Sequence, residues 1–190
     1  AEYINNLIEQ LSIIELNINN WTMQKVVMQN FINLINNYDV YTLKTTIQED
    51  GRNPQDLGWY ERGDWDDANE CYNYNLTTDI EVDNEKTYYK KVDSPSLTQR
   101  KTMYAAAMLE KYPQSGYNYQ MVDEKYQNYI NSIDDIQEII NNYKEEQQIT
   151  LEAKERLTAD WCIDDNGEYS GIDYDAIKIK DEYEKLNDTE

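Results

Sequence analysis

The feature that most restricts the fold of this chain is an apolar stripe that repeats in steps of three and four residues. Residues 1–50 contain neither glycine nor proline. Their stripe is interrupted only at Lys25 and comprises Ile4, Leu7, Leu11, Ile14, Ile18, Trp21, Met28, Ile32 and Ile35. This period predicts one long helix, or two helices end to end with a break near Asn20, because asparagine is unfavourable inside a helix.

A second stripe of the same period lies in the other half of the chain. Its members are Val122, Tyr126, Tyr129, Ile133, Ile136, Ile140 and Tyr143. Two such seams favour helices that pair with each other inside the chain, with pairing to copies in neighbouring subunits as the alternative. The seam residues taken as candidates for such contacts are Ile14, Ile18, Trp21, Tyr126, Tyr129, Ile133 and Ile136.

Shorter helices are predicted around these seams. Ser94-Pro95 supplies a capping residue followed by a first-turn proline, so a helix is expected to begin there and to stop near residues 113–116. A further helix is expected around Leu151–Leu157, and Asn166-Gly167 predicts a hairpin within residues 161–170.

Between the helical regions the apolar period changes from that of a helix to that of a strand. Tyr41, Leu43, Thr45 and Ile47 alternate, and so do Leu76, Thr78, Ile80 and Val82. A run from Thr87 to Val92 follows the turn-forming residues 83–86. Alternating β-branched and aromatic residues are typical of strands with one buried face, so residues 51–93 are predicted to form a small antiparallel module.

The same segment contains a set of short motifs in a fixed order. They are Asn53-Pro54, Gly58–Glu61, Leu76–Asp79, Val82 and Lys86–Val92. In this order they resemble a module that recurs in structural proteins of tailed bacteriophages, NP…GWYE, then L-T-x-D-x-x-V, then KTYY-x-K-V. The resemblance covers about a fifth of the chain and implies a virion context, not a chemical activity. The acidic stretch Asp64–Asp67 departs from the short loop of that module.

Aromatic side chains are concentrated in this module. Strand alternation is expected to send about half of them into a small core and half outward, where they could contact a protein or a carbohydrate. We take the following aromatic residues as interface candidates: Trp59, Tyr60, Trp65, Tyr88 and Tyr89.

Composition argues against several classes of function. The chain has no histidine, which removes imidazole catalysis and His-ligated zinc, and it has no glycine-rich phosphate loop. A net charge of −21 opposes binding to a phosphate backbone. No apolar run approaches the roughly 18 residues that a membrane span needs. We therefore expect no enzyme activity, no cofactor or metal, no tight nucleic-acid binding and no membrane insertion. The two cysteines, Cys71 and Cys162, are expected to be reduced thiols, although a disulfide between them stays open.

Together these observations predict an α+β fold of long helices, with a small antiparallel β module in the first half and a short C-terminal hairpin. Three segments follow: residues 1–50 (helix and strand), 51–93 (β module) and 94–190 (helical region). The expected function is that of a structural protein of a tailed-phage particle, located in the virion. It would associate with itself and with other phage structural proteins at the head–tail connector, tail or capsid. The alternatives are an acidic inhibitor that mimics DNA and an assembly chaperone or scaffold.

Overall fold

The computed structural model of this 190-residue chain describes residues 2–44 and 52–159. Three α-helices and four strands occur there, and the α+β prediction is confirmed. In chain order the elements are α1 (Glu2–Asn36), β1 (Tyr41–Lys44), β2 (Tyr60–Asp66), β3 (Cys71–Leu76), β4 (Tyr88–Lys91), α2 (Leu97–Lys111), a 3₁₀ turn (Pro113–Ser115) and α3 (Tyr119–Leu157). The predicted hairpin at 161–170, the second cysteine Cys162 and the strand positions after Lys44 lie outside the described residues.

The chain divides into two compact units. Unit 1 comprises Ala1–Val27 with Ser132–Glu190, and unit 2 comprises Met28–Asn131. This division cuts both long helices, so it does not coincide with the three consecutive segments expected from the sequence. No helix in residues 2–44 or 52–159 has the length and apolar character needed to cross a membrane.

Unit 1 contains the first part of α1 and the last part of α3, which run antiparallel. Leu7, near the start of α1, packs with Ala153 and Leu157 near the end of α3. Further along, the Lys25 ammonium donates a hydrogen bond to the side-chain oxygen of Gln137. The intramolecular pairing of the seams in this unit therefore matches the favoured alternative.

Helix α1 is continuous, so the break considered near Asn20 does not occur. Every seam position of α1, Lys25 included, is buried or half-buried, and Ile14 is only 2% exposed. The packing of an apolar face stabilises a helix more than a few unfavourable residues destabilise it. The asparagines at 19 and 20 are accommodated because they lie on the exposed side.

Helix α3 is also longer than the sequence predicts. Residues 151–157 are helical as expected, but they do not form a separate helix, because α3 continues without interruption to Leu157. Beyond Tyr143 the seam passes through a polar position, Thr150, which is 1% exposed. The Thr150 hydroxyl donates to the backbone oxygen of Glu146 at 2.8 Å, which satisfies the buried polar group inside the helix itself.

Helix α2 begins two residues later than predicted. Its N-cap is Ser96 and not Ser94: the Ser96 side chain accepts from the Gln99 backbone, and the Gln99 side chain accepts from the Ser96 backbone. Ser94 instead has a left-handed backbone conformation, with φ of 48°. The predicted end of the helix is confirmed, since α2 stops at Lys111 and Gly116 closes the following turn with a positive φ.

The helices of unit 2 pack around aromatic rings. Phe31 of α1 makes edge-to-face contacts with Tyr104 of α2 and with Tyr129 of α3, at centroid distances of 5.8 and 5.6 Å. Beside them the buried ammonium of Lys101 pairs with Asp123 at 2.6 Å. This buried charge is tolerated because it has a direct ionic partner.

The sheet of unit 2 is antiparallel with strand order β1-β4-β2-β3. The strand expected over Leu76–Val82 is wrong: β3 ends at Leu76, and residues 77–87 form turns and loop. The acidic stretch Asp64–Asp67 ends β2 and enters the hairpin turn. Alternation failed as a guide here because Leu76 and Ile80 are both exposed, whereas Val82 packs on a core formed by Leu57, Trp59 and Tyr88.

The pairing in unit 1 predicts a large penalty for a charge in the seam. Ile136→Asp is expected to lower the free energy of unfolding by roughly 3–5 kcal/mol, because it removes apolar contacts and buries a carboxylate. Asn142→Asp, at an exposed position of the same helix, should change it by less than about 0.5 kcal/mol. Urea denaturation measures both, and equal stabilities of the two variants would contradict the seam.

Candidate functional site

A cleft of about 700 Å³ in unit 2 brings polar and aromatic groups together. It lies between the end of α1, the segment that leads into β1, the β2–β3 hairpin and α2. Most of its lining is asparagine, aspartate and tyrosine. The polar and aromatic members are Asn30, Asn33, Asn37, Tyr38, Asp39, Tyr41, Asp66, Asn69, Cys71, Tyr72, Asn73 and Tyr74.

The hairpin that forms one side of the cleft is attached to the helices through Glu70. The Tyr38 hydroxyl donates to the Glu70 backbone oxygen at 2.8 Å, and the Tyr104 hydroxyl donates to its carboxylate at 2.7 Å. Glu70 itself adopts a left-handed conformation, with φ of 48°, at the end of the hairpin turn. Two hydrogen bonds to one strained residue hold the hairpin against α2 and against the segment that follows α1.

The tyrosine rings of the cleft are packed against each other. Tyr41 and Tyr74 stack with centroids 3.9 Å apart and an angle of 13° between their planes. Burial, together with neighbouring acidic groups, raises the pKa of each of these two hydroxyls to about 12. Both hydroxyls therefore remain protonated at neutral pH and can donate as well as accept hydrogen bonds.

Asparagines approach the cleft from two sides. Asn30, Asn33 and Asn37 recur at intervals of three and four residues, which places them on one face at the end of α1. Asn69 and Asn73 come from the hairpin. Among the described residues, the side chains of Asn30, Asn33 and Asn73 have no hydrogen-bond partner. Their amides are available to donate to and accept from a bound molecule.

The pKa values of two groups that line the cleft are shifted away from neutral pH. Burial raises the pKa of the Cys71 thiol, aided by Asp66 and Asp39, so the thiol stays uncharged. Hydrogen bonds from the side chain and backbone of Asn69 lower the pKa of Asp66, so its carboxylate stays ionised. In residues 2–44 and 52–159 no group of three His, Cys, Asp or Glu side chains is placed to hold a metal ion.

The motif residues of the β module form a separate polar cluster on the loop side of the sheet. The Asp79 carboxylate accepts from the Tyr88 hydroxyl at 2.7 Å and from the Lys86 ammonium at 3.1 Å. Lys86 also pairs with Glu61 at 3.1 Å, and Glu61 accepts from the Thr77 hydroxyl at 2.9 Å. Three of the sequence motifs thus contribute side chains to one hydrogen-bonded cluster, which fixes the loop after β3.

The aromatic interface candidates are not all on the surface. Trp59 and Tyr88 are 1% and 3% exposed and form the core beneath the sheet, whereas Tyr60, Trp65 and Tyr89 are half-buried. Two of the five rings thus lie in the core, and none of the five is fully exposed. None of these five residues lines the cleft.

The seam candidates are placed inside the chain. Ile14, Ile136 and Tyr126 are buried. The half-buried members are Ile18, Trp21, Tyr129 and Ile133. The fully buried members offer almost no surface to another chain, which leaves a possible intermolecular role to the partly exposed ones.

Two features were missed by the sequence analysis. One is the row of asparagines at the end of α1, whose three-and-four spacing was the available signal. The other is a second apolar row on α1, which we call the outer stripe. It consists of Ile8, Ile13, Leu16, Met23, Val26 and Val27. The residues of the outer stripe alternate with those of the seam along the same helix, so the signal was present in the sequence.

The Glu70 attachment predicts a measurable loss of stability. Tyr104→Phe removes a hydrogen bond to a carboxylate and is expected to cost about 1–3 kcal/mol of unfolding free energy. Tyr117→Phe is the matched control, because Tyr117 contacts the Tyr104 ring at 6.3 Å through its own ring and not its hydroxyl. Chemical denaturation followed by fluorescence compares them, and indistinguishable stabilities would contradict the attachment.

The Asp79 cluster predicts a pH-dependent effect. Hydrogen bonds from Tyr88 and then Lys86 lower the pKa of Asp79 below its ordinary value of 3.8. Because the folded pKa is lowered, the contribution of Asp79 is complete above 3.8 and is lost as the pH falls through the folded value. Asp79→Asn should therefore lower the melting temperature at pH 7. The difference in melting temperature between this variant and the unmodified protein should disappear below pH 3.8. A difference that does not depend on pH would contradict the predicted role of Asp79.

Searches of protein-family models, of curated proteins and of solved structures find no match to this chain.

Proposed function

We propose that this chain is a structural component of a tailed-phage particle that acts through protein–protein contacts and associates with copies of itself. The observation that carries the self-association is the outer stripe of α1. Met23 is 67% exposed, and Leu16 and Val27 are each 59% exposed. A helix in an ordinary globular protein has one apolar face, whereas α1 has apolar residues on both the seam side and the opposite side.

The outer stripe is suited to another copy because it is nearly free of charge. In residues 2–27 the charged side chains are Glu2, Glu9, Glu15 and Lys25. The whole chain has a net charge of −21, so two copies repel each other. Contact along α1 combines the greatest gain from apolar burial with the smallest electrostatic penalty.

A second apolar surface lies on the sheet and suits a different partner. Leu43, Tyr60, Leu76 and Tyr89 share one face, because residues opposite each other in the ladder point to the same side. Leu43 and Leu76 are 55% and 59% exposed. We propose that this surface binds another structural protein of the particle.

The virion assignment rests on the motif resemblance of residues 53–92. If the chain lines a head–tail connector, its acidity has a use, since a negatively charged channel repels the DNA backbone and lets the genome pass. The DNA-mimic alternative requires an uninterrupted anionic surface. On α3 the acids are interrupted by Lys144, Lys154 and Arg156, which does not favour that alternative.

Self-association is tested by changing the outer stripe without touching the seam. The unmodified chain should have a solution mass of two or more times the 22.6 kDa of one chain. Leu16→Lys with Met23→Lys should shift it to the monomer mass, because two charges would have to be buried in the contact. Light scattering coupled to size exclusion measures both masses.

The matched control is Asn142→Lys with Gln148→Lys, which adds the same charge at exposed positions of α3. It should keep the mass of the unmodified chain. A monodisperse monomer for the unmodified protein at high concentration and physiological salt would refute self-association. Mass spectrometry of purified particles tests the virion role, and detection of the chain only in immature assemblies would favour the scaffold alternative.

A further inference from the structure

We propose that the cleft between the end of α1 and the β2–β3 hairpin binds a neutral, hydroxyl-rich ligand, of which a glycan segment is the natural example. This inference is independent of the proposed self-association, because the cleft lies in unit 2 and the outer stripe in unit 1. Its volume of about 700 Å³ is within the range of small-molecule sites.

The charges around the cleft argue against an anionic ligand. Asp39 and Asp66 line it, and no lysine or arginine does. A phosphate, sulfate or carboxylate bound there would meet two negative groups, and no cationic side chain is among the lining residues. The chemistry of the lining therefore excludes the acidic ligands that a basic site would attract.

The two aspartates are not well placed to neutralise a cation either. Both oxygens of Asp66 are occupied within its own turn: one accepts from the backbones of Ala68 and Asn69, and the other from the Asn69 side chain at 2.8 Å. Asp39 already faces the Lys91 ammonium at 3.9 Å. Cation binding to aromatic faces is also restricted, because Tyr41 and Tyr74 cover each other and Arg62 covers Tyr72 at 4.1 Å.

The groups that remain match hydroxyls. An asparagine side chain offers a donor and an acceptor side by side, as a sugar hydroxyl does, and Asn30, Asn33 and Asn73 are exposed without partners among the described residues. The tyrosine hydroxyls of Tyr41 and Tyr74 add protonated groups of the same kind. A ligand with many hydroxyls and no charge can pair with these groups without introducing an uncompensated charge.

The cleft is also held in shape before any ligand arrives. Glu70 ties the hairpin to Tyr38 and Tyr104, and Tyr38 and Tyr104 contact each other edge to face at 5.4 Å. The two sides of the cleft are therefore already ordered in the folded protein. Binding through many weak polar contacts is favoured because it does not have to order them.

The test uses the fluorescently labelled full chain on a glycan array that displays neutral, sialylated and sulfated glycans. We expect signal on neutral glycans. Titration of a soluble form of the strongest neutral glycan into ¹⁵N-labelled protein should shift asparagine side-chain signals. Asn33→Ala with Asn73→Ala should weaken the affinity about tenfold or more.

The matched control is Asn131→Ala with Asn84→Ala, which makes the same changes at exposed positions outside the cleft and should keep the affinity unchanged. Absence of signal on every neutral glycan would overturn the proposal. Signal confined to sialylated or sulfated glycans would also overturn it. Equal affinity of the two double variants would overturn it as well. The proposal would also fail if an oligolysine peptide shifted the asparagine side-chain signals and neutral glycans left them unchanged.

Discussion

Burial of the two apolar seams is the interaction on which the rest of the structure depends. In unit 1 the seams of α1 and α3 pack on each other, from Leu7 with Leu157 at one end towards Lys25 with Gln137. In unit 2 the same two helices supply Phe31 and Tyr129, which pack with Tyr104 of α2. Tyr104 in turn holds the hairpin through Glu70. The cleft is therefore built on side chains that are positioned by long helices and not by the sheet alone.

The parts of the fold that repeat over many residues could be predicted from the sequence. The seam of α1 can be assigned position by position, because one residue that does not fit the helical period is outweighed by nine that do. Single residues were less reliable. The sequence predicts the capping position at Ser94 because proline follows it, whereas the reciprocal bonds of Ser96 and Gln99 decide where α2 begins. The sequence does not mark Thr150 as a seam position because threonine is polar, and it can be buried there because its hydroxyl is satisfied within the helix.

The cleft could not be predicted, and the reason is its long-range origin. Asn33, Asn73 and Tyr41 are brought together by the path of the chain from α1 through three strands, and no local pattern specifies that path. The strand proposed over Leu76–Val82 shows the same limit. The alternation there is real, but the Thr77 side chain is bound to the Glu61 side chain, and Asp79 is bound to Tyr88. Tertiary hydrogen bonds took the segment out of the sheet.

The lysine within the first seam has a consequence for how the two helices of unit 1 find their alignment. A purely apolar stripe can slide by one heptad and still bury similar surface, so such a pair is open to mispairing. With Lys25 opposite Gln137, a slide of seven residues would bring the ammonium opposite Ile130 or Lys144. Either neighbour would leave the charge without an acceptor. One polar residue thus favours a single alignment of α1 against α3 over the alignments that are shifted by one heptad.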